Sequence, residues 1–212
     1  ERVQPVHLRV RLLGAAQQGG PELDTVERLY HFWQLAGLDE PVDTPAGSGR
    51  IVIHETDVFL LNRATDRVYT FTMNDAGDAL QPQDSDPLLM AKDELRGSIQ
   101  VGQLIDIAWI EAGGQRSLST FMALESGGSL LAYDPQQGID VLPVADSDKW
   151  LRPAAIGGYF GNLYVLDPLQ SRLLKYVPVD NAYTAPPSDY LDPRLGIDLT
   201  GLSWDAVVTL PE

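Results

Sequence analysis

Three stretches of this chain share one design, and that repetition constrains the fold more than any other feature. "VFLLNRATDRVYTF" runs from Val58 to Phe71, "FMALESGGSLLAY" from Phe121 to Tyr133, and "LYVLDPLQSRLLKY" from Leu163 to Tyr176. Each is an apolar run closed by Asn62, Glu125 or Asp167, then a short turn, then a second run ending on Phe71, Tyr133 or Tyr176. The turn chemistry is that of a β-hairpin. Asn62 and Asp167 carry short polar side chains that bond to the backbone of the turn they open. Pro168 presets φ for the second turn position, and Gly127 and Gly128 supply positive φ where the middle copy bends. The first strand of each copy is apolar on consecutive residues, which predicts burial on both faces. The second strand loosens toward alternation, with Arg67, Thr70, Thr72 and Lys175 reaching water.

Around each hairpin the sequence supplies further strands. "GRIVIHE", "LIDIAWI" (Leu104–Ile110) and "RPAAIGG" (Arg152–Gly158) precede the three copies. "SWDAVVTL" (Ser203–Leu210) repeats the theme near the C-terminus, with Asp106 and Asp205 in matching places. Outer strands are expected at "PLLMAK" (Pro87–Lys92), "GIDVLP" (Gly138–Pro143) and "YTAPPSDYL" (Tyr183–Leu191). The prolines of the last suit a sheet edge, where a missing N–H costs little. "NDAGDALQPQDSD" (Asn74–Asp86) is polar and broken by Gly and Pro, and is expected to be a loop.

The hairpins resemble the blades of β-propellers. They follow the pattern of NHL and related six-bladed propellers, with Tyr164, Asp167 and Arg172 in place and Arg67 matching as well. The interval from Glu125 to Asp167 is about 42 residues, the length of one four-stranded blade, and the interval from Asn62 to Glu125 is longer by about 20. The resemblance implies an all-β chain: a partial propeller of about three four-stranded blades and the start of a fourth, over residues 49–92, 104–143, 152–191 and 198–212. "WD" at Trp204–Asp205 opens a blade and so does not carry the WD40 signature. Three blades and a stub do not close a ring, and unpaired blade edges predict self-association there.

Residues 1–48 differ in kind. "VHLRVRLL" alternates as a strand with one wet face, and "DTVERLYHFWQLAG" reads as a helix. Its Asp24 and Glu27 have capping-box spacing, Val26, Leu29, Tyr30 and Trp33 share a face, and Gly37 ends it. "LDEPVDTPAGSG" (Leu38–Gly49) is a linker.

Composition narrows the partners. With 15 Lys+Arg against 30 Asp+Glu the net charge is −15, which repels phosphate backbones and anionic lipid heads, so neither nucleic acid nor direct membrane insertion is expected. No apolar run approaches the roughly 20 residues that cross a bilayer. There is no Cys, which excludes disulfides, Cys-ligated zinc and thiol nucleophiles. The chain opens at Glu1 with no signal peptide, as a processed product or an excised piece would.

Chemistry-bearing motifs are sparse. His7, His31 and His54 form no metal-ligand spacing. Ser48 in "AGSGR" lacks the nucleophile-elbow pattern. Asp75, Asp78, Asp84 and Asp86 gather oxygen ligands of the kind calcium takes, without EF-hand spacing, and read as a solvated loop. "ESGGS" lacks the Lys and helix of a phosphate loop. Trp109, Tyr159 and Phe160 read as core packing, with a binding face as the other reading. No catalytic, cofactor-binding or metal-ligating residue is assigned, and no cofactor is expected. The expected function is a non-catalytic binding or sensing module for a protein or small molecule, extracytoplasmic and part of a larger signalling protein. The combination resembles propeller regions of bacterial PP2C-type phosphatase proteins, whose metal-binding "DGHGG" motif is missing here. The alternatives are a propeller hydrolase or lyase completed by further blades, and a structural unit that assembles through its open ends.

Overall fold

The computed structural model describes residues 49–76, 79–83 and 86–200, and it is all-β. The N-terminal strand, helix and linker expected over residues 1–48, and the strand expected at Ser203–Leu210, lie outside the described residues. The chain divides into two compact units with the boundary between Met90 and Ala91.

The first unit holds one antiparallel sheet. Strands β1 (Gly49–His54), β2 (Asp57–Asn62), β3 (Arg67–Met73) and β4 (Leu80–Pro82) follow in order, and β5 (Leu88–Ala91) also pairs with β3. The outer position is thus shared by two short strands, and the Thr70 N–H donates to Pro87 O at 2.8 Å where the second begins. Loop polarity hid β4: Leu80–Pro82 lies within the segment expected to be loop, yet it pairs residue for residue with Phe71–Met73. Strand β2 is buried along nearly its whole length, as its unbroken apolar run predicts, and Ile51, Val58, Leu60 and Phe71 form its core cluster. Asn62 opens the hairpin as expected, its Oδ1 accepting from Ala64 N at 3.0 Å and Thr65 N at 3.2 Å.

The second unit begins with a two-stranded ribbon, β6 (Leu95–Arg96) and β7 (Ile99–Gln100). Two meanders follow. One is β8 (Leu104–Ile110), β9 (Thr120–Glu125), β10 (Leu130–Asp134) and β11 (Gly138–Leu142). The other is β12 (Ala155–Tyr159), β13 (Asn162–Asp167), β14 (Arg172–Tyr176) and β15 (Ser188–Asp189). Each runs in sequence order from first strand to last, and among the described residues none of the sheets closes on itself. The first strand of the last sheet starts at Ala155, three residues later than its apolar composition suggests, because the backbone of Leu151 and Arg152 is bonded elsewhere. Ile110, Met122 and Leu124 from one meander and Ile156, Leu163, Val165, Leu174 and Tyr176 from the other share a single core.

Three buried carboxylates organise this unit. Asp167 is fully buried. It accepts from Gln170 N in its own turn at 3.3 Å and, through Oδ2, from Leu151 N at 2.7 Å, ahead of β12. Glu125 accepts from Gly102 N ahead of β8 in the preceding sheet. A Cβ on Gly102 would sit 3.2 Å from that carboxylate oxygen, which would have to give by a few tenths of an ångström. Asp106 on β8 crosses to the next sheet, where its Oδ2 accepts from Ile156 N at 2.9 Å. In the β9–β10 turn only Gly128 takes positive φ, at 86°; the expectation for Gly127 fails, since one left-handed residue completes that turn.

Asp106 generates the first test. Replacing it by Ala leaves the buried Ile156 N–H without this acceptor and should cost about 1–3 kcal/mol. Asp106→Asn keeps a carbonyl oxygen in place and should cost less. Urea denaturation of both variants checks the order.

Candidate functional site

The antiparallel registers put three connections at one end of the two meanders. Ile110 pairs with Thr120, so residues 111–119 leave and re-enter the second unit's first meander at that end. Tyr159 pairs with Asn162, so Phe160 and Gly161 turn the chain at the matching end of the other. Tyr176 pairs with Leu163, so the segment after it starts there too.

The three connections are locked together. Gly113 and Arg116 exchange both backbone hydrogen bonds at 2.8 Å, making a tight turn at "GGQR". The Phe160–Gly161 turn presses on it: a Cβ on Gly161 would lie 2.1 Å from Gly113 O, and one on Gly113 would lie 2.7 Å from the Phe160 carbonyl carbon. Asn181, at φ 67°, offers one oxygen to Ser117 N at 2.8 Å, Ser117 Oγ at 3.1 Å and Leu118 N at 3.2 Å. Asn tolerates the left-handed region better than other residues with a side chain, which suits it to this post.

Beneath the loops lies Arg116, only 4% exposed. Its Nη1 donates to Asn181 O and its Nη2 to Thr120 Oγ1 at 2.8 Å, while Nε has no hydrogen-bond partner. The guanidinium carbon stands 5.7 Å from the centre of the Tyr183 ring, within cation–π range. Burial lowers the Arg116 pKa, partly offset by Tyr183. Tyr183 is fully buried and donates to Gly161 O at 2.8 Å. Burial pushes its hydroxyl up to about 12, against the pull of Arg116. Tyr176 is likewise pushed up to about 12 by burial, with a partial counter-effect from Trp150, whose indole N–H donates to its oxygen at 2.8 Å.

This buried polar frame presents apolar side chains to water. Phe160 is 64% exposed and Leu118 is 57% exposed. Phe160 also sits at φ 48°, a conformation uncommon for a bulky residue and a genuine outlier when not dictated by sequence preference. With Gly161 at φ 76° it forms a two-residue hairpin turn, the kind in which Asn-Gly is favoured. The expectation of core packing therefore fails for Phe160, and Tyr159, at 39% exposure, is also a surface residue. Trp109 is half-buried on β8.

A second concavity lies apart from these loops: an open cleft of about 370 Å³ lined by residues that include Gly128, Val141, Pro143, Ser147 and Thr184. It contains no ionisable side chain. Of the other sequence candidates, His54 lies on β1 in the first unit, while His7, His31, Ser48, Asp78 and Asp84 are outside the described residues. Asp86 bonds its own turn, accepting from Leu88 N at 2.9 Å. Among the described residues no group of three His, Asp or Glu converges on a common point, and no helix is long and apolar enough to cross a membrane. Arg116, Leu118, Asn181 and Tyr183 were not singled out by sequence reasoning. The available signals were the turn-forming "GGQ" triplet just before Arg116 and the "DNA" triplet that holds Asn181.

No family model matches the chain, and no curated protein matches it. A solved structure to which it is similar is an auxiliary nutrient binding protein from Bacteroides ovatus ATCC 8483, at 13% identity and a TM-score of 0.45. The match covers 65% of this chain and 39% of that one, so this chain spans well under half of that protein.

Two tests follow. Asn181→Ala removes the shared acceptor from three donors and should destabilise by about 1–2 kcal/mol; Asn181→Gly, which keeps the backbone conformation accessible, should lose the loop contacts with less strain. Both are read by thermal unfolding. Spectrophotometric titration at alkaline pH should show two of the eight tyrosines ionising near pH 12. Their folded values exceed the ordinary 10.0, so the stabilisation is complete below about pH 10 and is lost as pH rises toward 12. Tyr176→Phe should remove one late-titrating group.

Proposed function

We propose that this chain is a binding module whose recognition surface is the loop end of its second unit, centred on Phe160 and flanked by Leu118. The observation that carries this reading is the strained, exposed Phe160. An aromatic side chain in a left-handed turn costs about 1–2 kcal/mol relative to an ordinary conformation, and here the ring is left largely in water. Strain of this sort clusters where a group is held ready for a ligand. The loops around it are braced by Asn181 and by a buried guanidinium, so the side chains do not have to be ordered on binding, which lowers the cost of association.

The architecture supports the same reading. Both four-stranded sheets of the second unit are meanders in sequence order, and β8 and β12, the first strands of their sheets, lie close enough that a Cβ on Gly158 would meet Ile110 Cδ1 at 2.6 Å. That arrangement suits blades set side by side, and we take the second unit's two meanders as part of a propeller within a larger signalling protein. Exposed side chains at strand-connecting loops are where scaffolds of this kind place recognition.

Phe160→Asn separates the two halves of the reading. It should raise stability by about 1 kcal/mol, because Asn suits the turn, as judged by urea denaturation. Titrating the isotope-labelled chain with indole and with methyl glucoside, two small probes with flat apolar faces, should move NMR resonances of residues 111–119, 159–161 and 179–182 for at least one probe. Those shifts should vanish in Phe160→Asn. Shifts confined to the Gly128–Thr184 cleft, or unchanged by the substitution, would refute the assignment.

A further inference from the structure

The exposed ring of Phe160 has apolar company. Leu118, Val177 and Val179 are exposed as well. The connections that carry them touch one another. The Leu118 N–H donates to Asn181 Oδ1 at 3.2 Å, and a Cβ on Gly114 would lie 3.9 Å from Phe160 Cε1. Val179 and Ala182 exchange backbone hydrogen bonds at 2.8 and 3.0 Å, which closes a two-residue turn on Asp180 and Asn181. Both take positive φ, at 49° and 67°, a conformation for which Asp and Asn are favoured in such turns. An occupant of this end therefore meets side chains from three connections at once. Successive residues of a peptide segment do that, and exposed apolar groups rimmed by polar ones are the form that protein-contact surfaces take.

Charge then selects among peptides. The charged side chains of residues 111–119, 159–161 and 177–182 are Glu111, Arg116 and Asp180. Arg116 is buried, with its Nη groups spent on Asn181 O and Thr120 Oγ1. Glu111 and Asp180 are exposed, so the charges that face water here are carboxylates. They bracket Leu118. On one side Glu111 Oε2 accepts from Ser119 Oγ at 3.0 Å. On the other, Asp180 adjoins Asn181, whose Oδ1 accepts from Ser117 N at 2.8 Å. Lys175, the next basic residue along the chain, sits back in β14 opposite Tyr164. The chain as a whole carries a net charge of −15, so the wider field has the same sign as the rim.

We propose that the loop end of the second unit receives a basic peptide segment of a protein partner, one in which Arg or Lys is interspersed with apolar side chains. This inference rests on the reading of Phe160 as the centre of the recognition surface. The apolar residues of the segment meet Phe160, Leu118 and Val179, and its cations meet Asp180 and Glu111. A guanidinium is also attracted to the face of an exposed aromatic ring. Opposite charge at the rim of an apolar contact sets partner choice and speeds encounter more than it adds affinity. The same carboxylates repel an acidic segment.

The probes are short peptides that carry Leu and Phe and differ only in whether the intervening positions are Arg, Gln or Glu. In NMR titrations of the full chain the Arg peptide should move resonances of residues 111–119, 159–161 and 177–182, and should bind more tightly than the Gln peptide, with the Glu peptide weakest. Asp180→Asn keeps a residue that suits the turn and removes its charge. It should weaken the Arg peptide about threefold, as loss of one exposed ion pair does, and leave the Gln peptide unchanged. Asp148→Asn removes the same charge from an exposed position beside the cleft near Ser147 and should change neither. Added salt should weaken the Arg peptide and not the Gln peptide; this measurement uses the unaltered chain and covers variants that do not fold. Equal binding of the Arg and Gln peptides would overturn the inference. So would equal losses in Asp180→Asn and Asp148→Asn, which mark general attraction to an acidic chain. If indole or methyl glucoside moves the loop-end resonances while the Arg peptide shows no preference, the partner class alone is wrong. If no probe moves them, the Phe160 reading falls and this inference with it.

Discussion

A buried carboxylate that accepts a backbone N–H from a distant part of the chain is the interaction on which the second unit depends. An extended strand brings its own ladder of partners, but the residues that lead into its sheet do not. Left buried, each such N–H costs about as much as a lost hydrogen bond. Asp167 closes its own hairpin turn through Gln170, and Glu125 and Asp167 take the N–H groups of Gly102, and of Leu151 and Arg152, ahead of their sheets. The turn of the second and third strands thereby fixes where the first strand enters. Asp106 extends the device between sheets through Ile156. The apolar core gives these sheets their cohesion; the three acids set their alignment.

The exposed loops obey a related logic in a different place. Arg116 is a desolvated cation whose hydrogen bonds go to a carbonyl and a hydroxyl. Among the described residues no ion pair offsets its charge. Burial of that kind is unfavourable unless the group is well bonded, and here the Tyr183 ring and the Asn181 carbonyl share the task. The result is a set of connections with little freedom, carrying two large apolar side chains outward. Braced loops and exposed apolar side chains together are what distinguish this end of the unit from the open cleft near Ser147.

Much of the strand layout was legible because it rests on short-range pattern. Val58–Leu61 and Phe121–Leu124 are consecutive apolar residues, and both runs are buried strands. Asn62 and Asp167 open their turns by the side-chain bonds their chemistry suggests. The misses arose where long-range pairing outweighed local character. Leu80–Pro82 looked like loop, since its pairing with Phe71–Met73 cannot be read from its own polarity. The ribbon at Leu95–Gln100 is too short to show a period. Phe160 reads as core because a propeller's core uses aromatics of this kind, and only the turn geometry and the resulting exposure show otherwise. Arg116 and Asn181 are separated by 65 residues, so the frame they build exists only after folding. No periodicity connects them.

Gly158 carries a consequence for how such a chain can diverge. Its missing side chain is filled by Ile110 of the neighbouring sheet, so the two repeats are keyed to each other like lock wards and are not interchangeable tiles. Copying one repeat into the other's slot would bring two bulky residues, or two small ones, to the same seam. Lengthening or shortening the array by gene duplication therefore demands matched changes on both sides of the join, whereas drift in the outer strands is free to proceed alone.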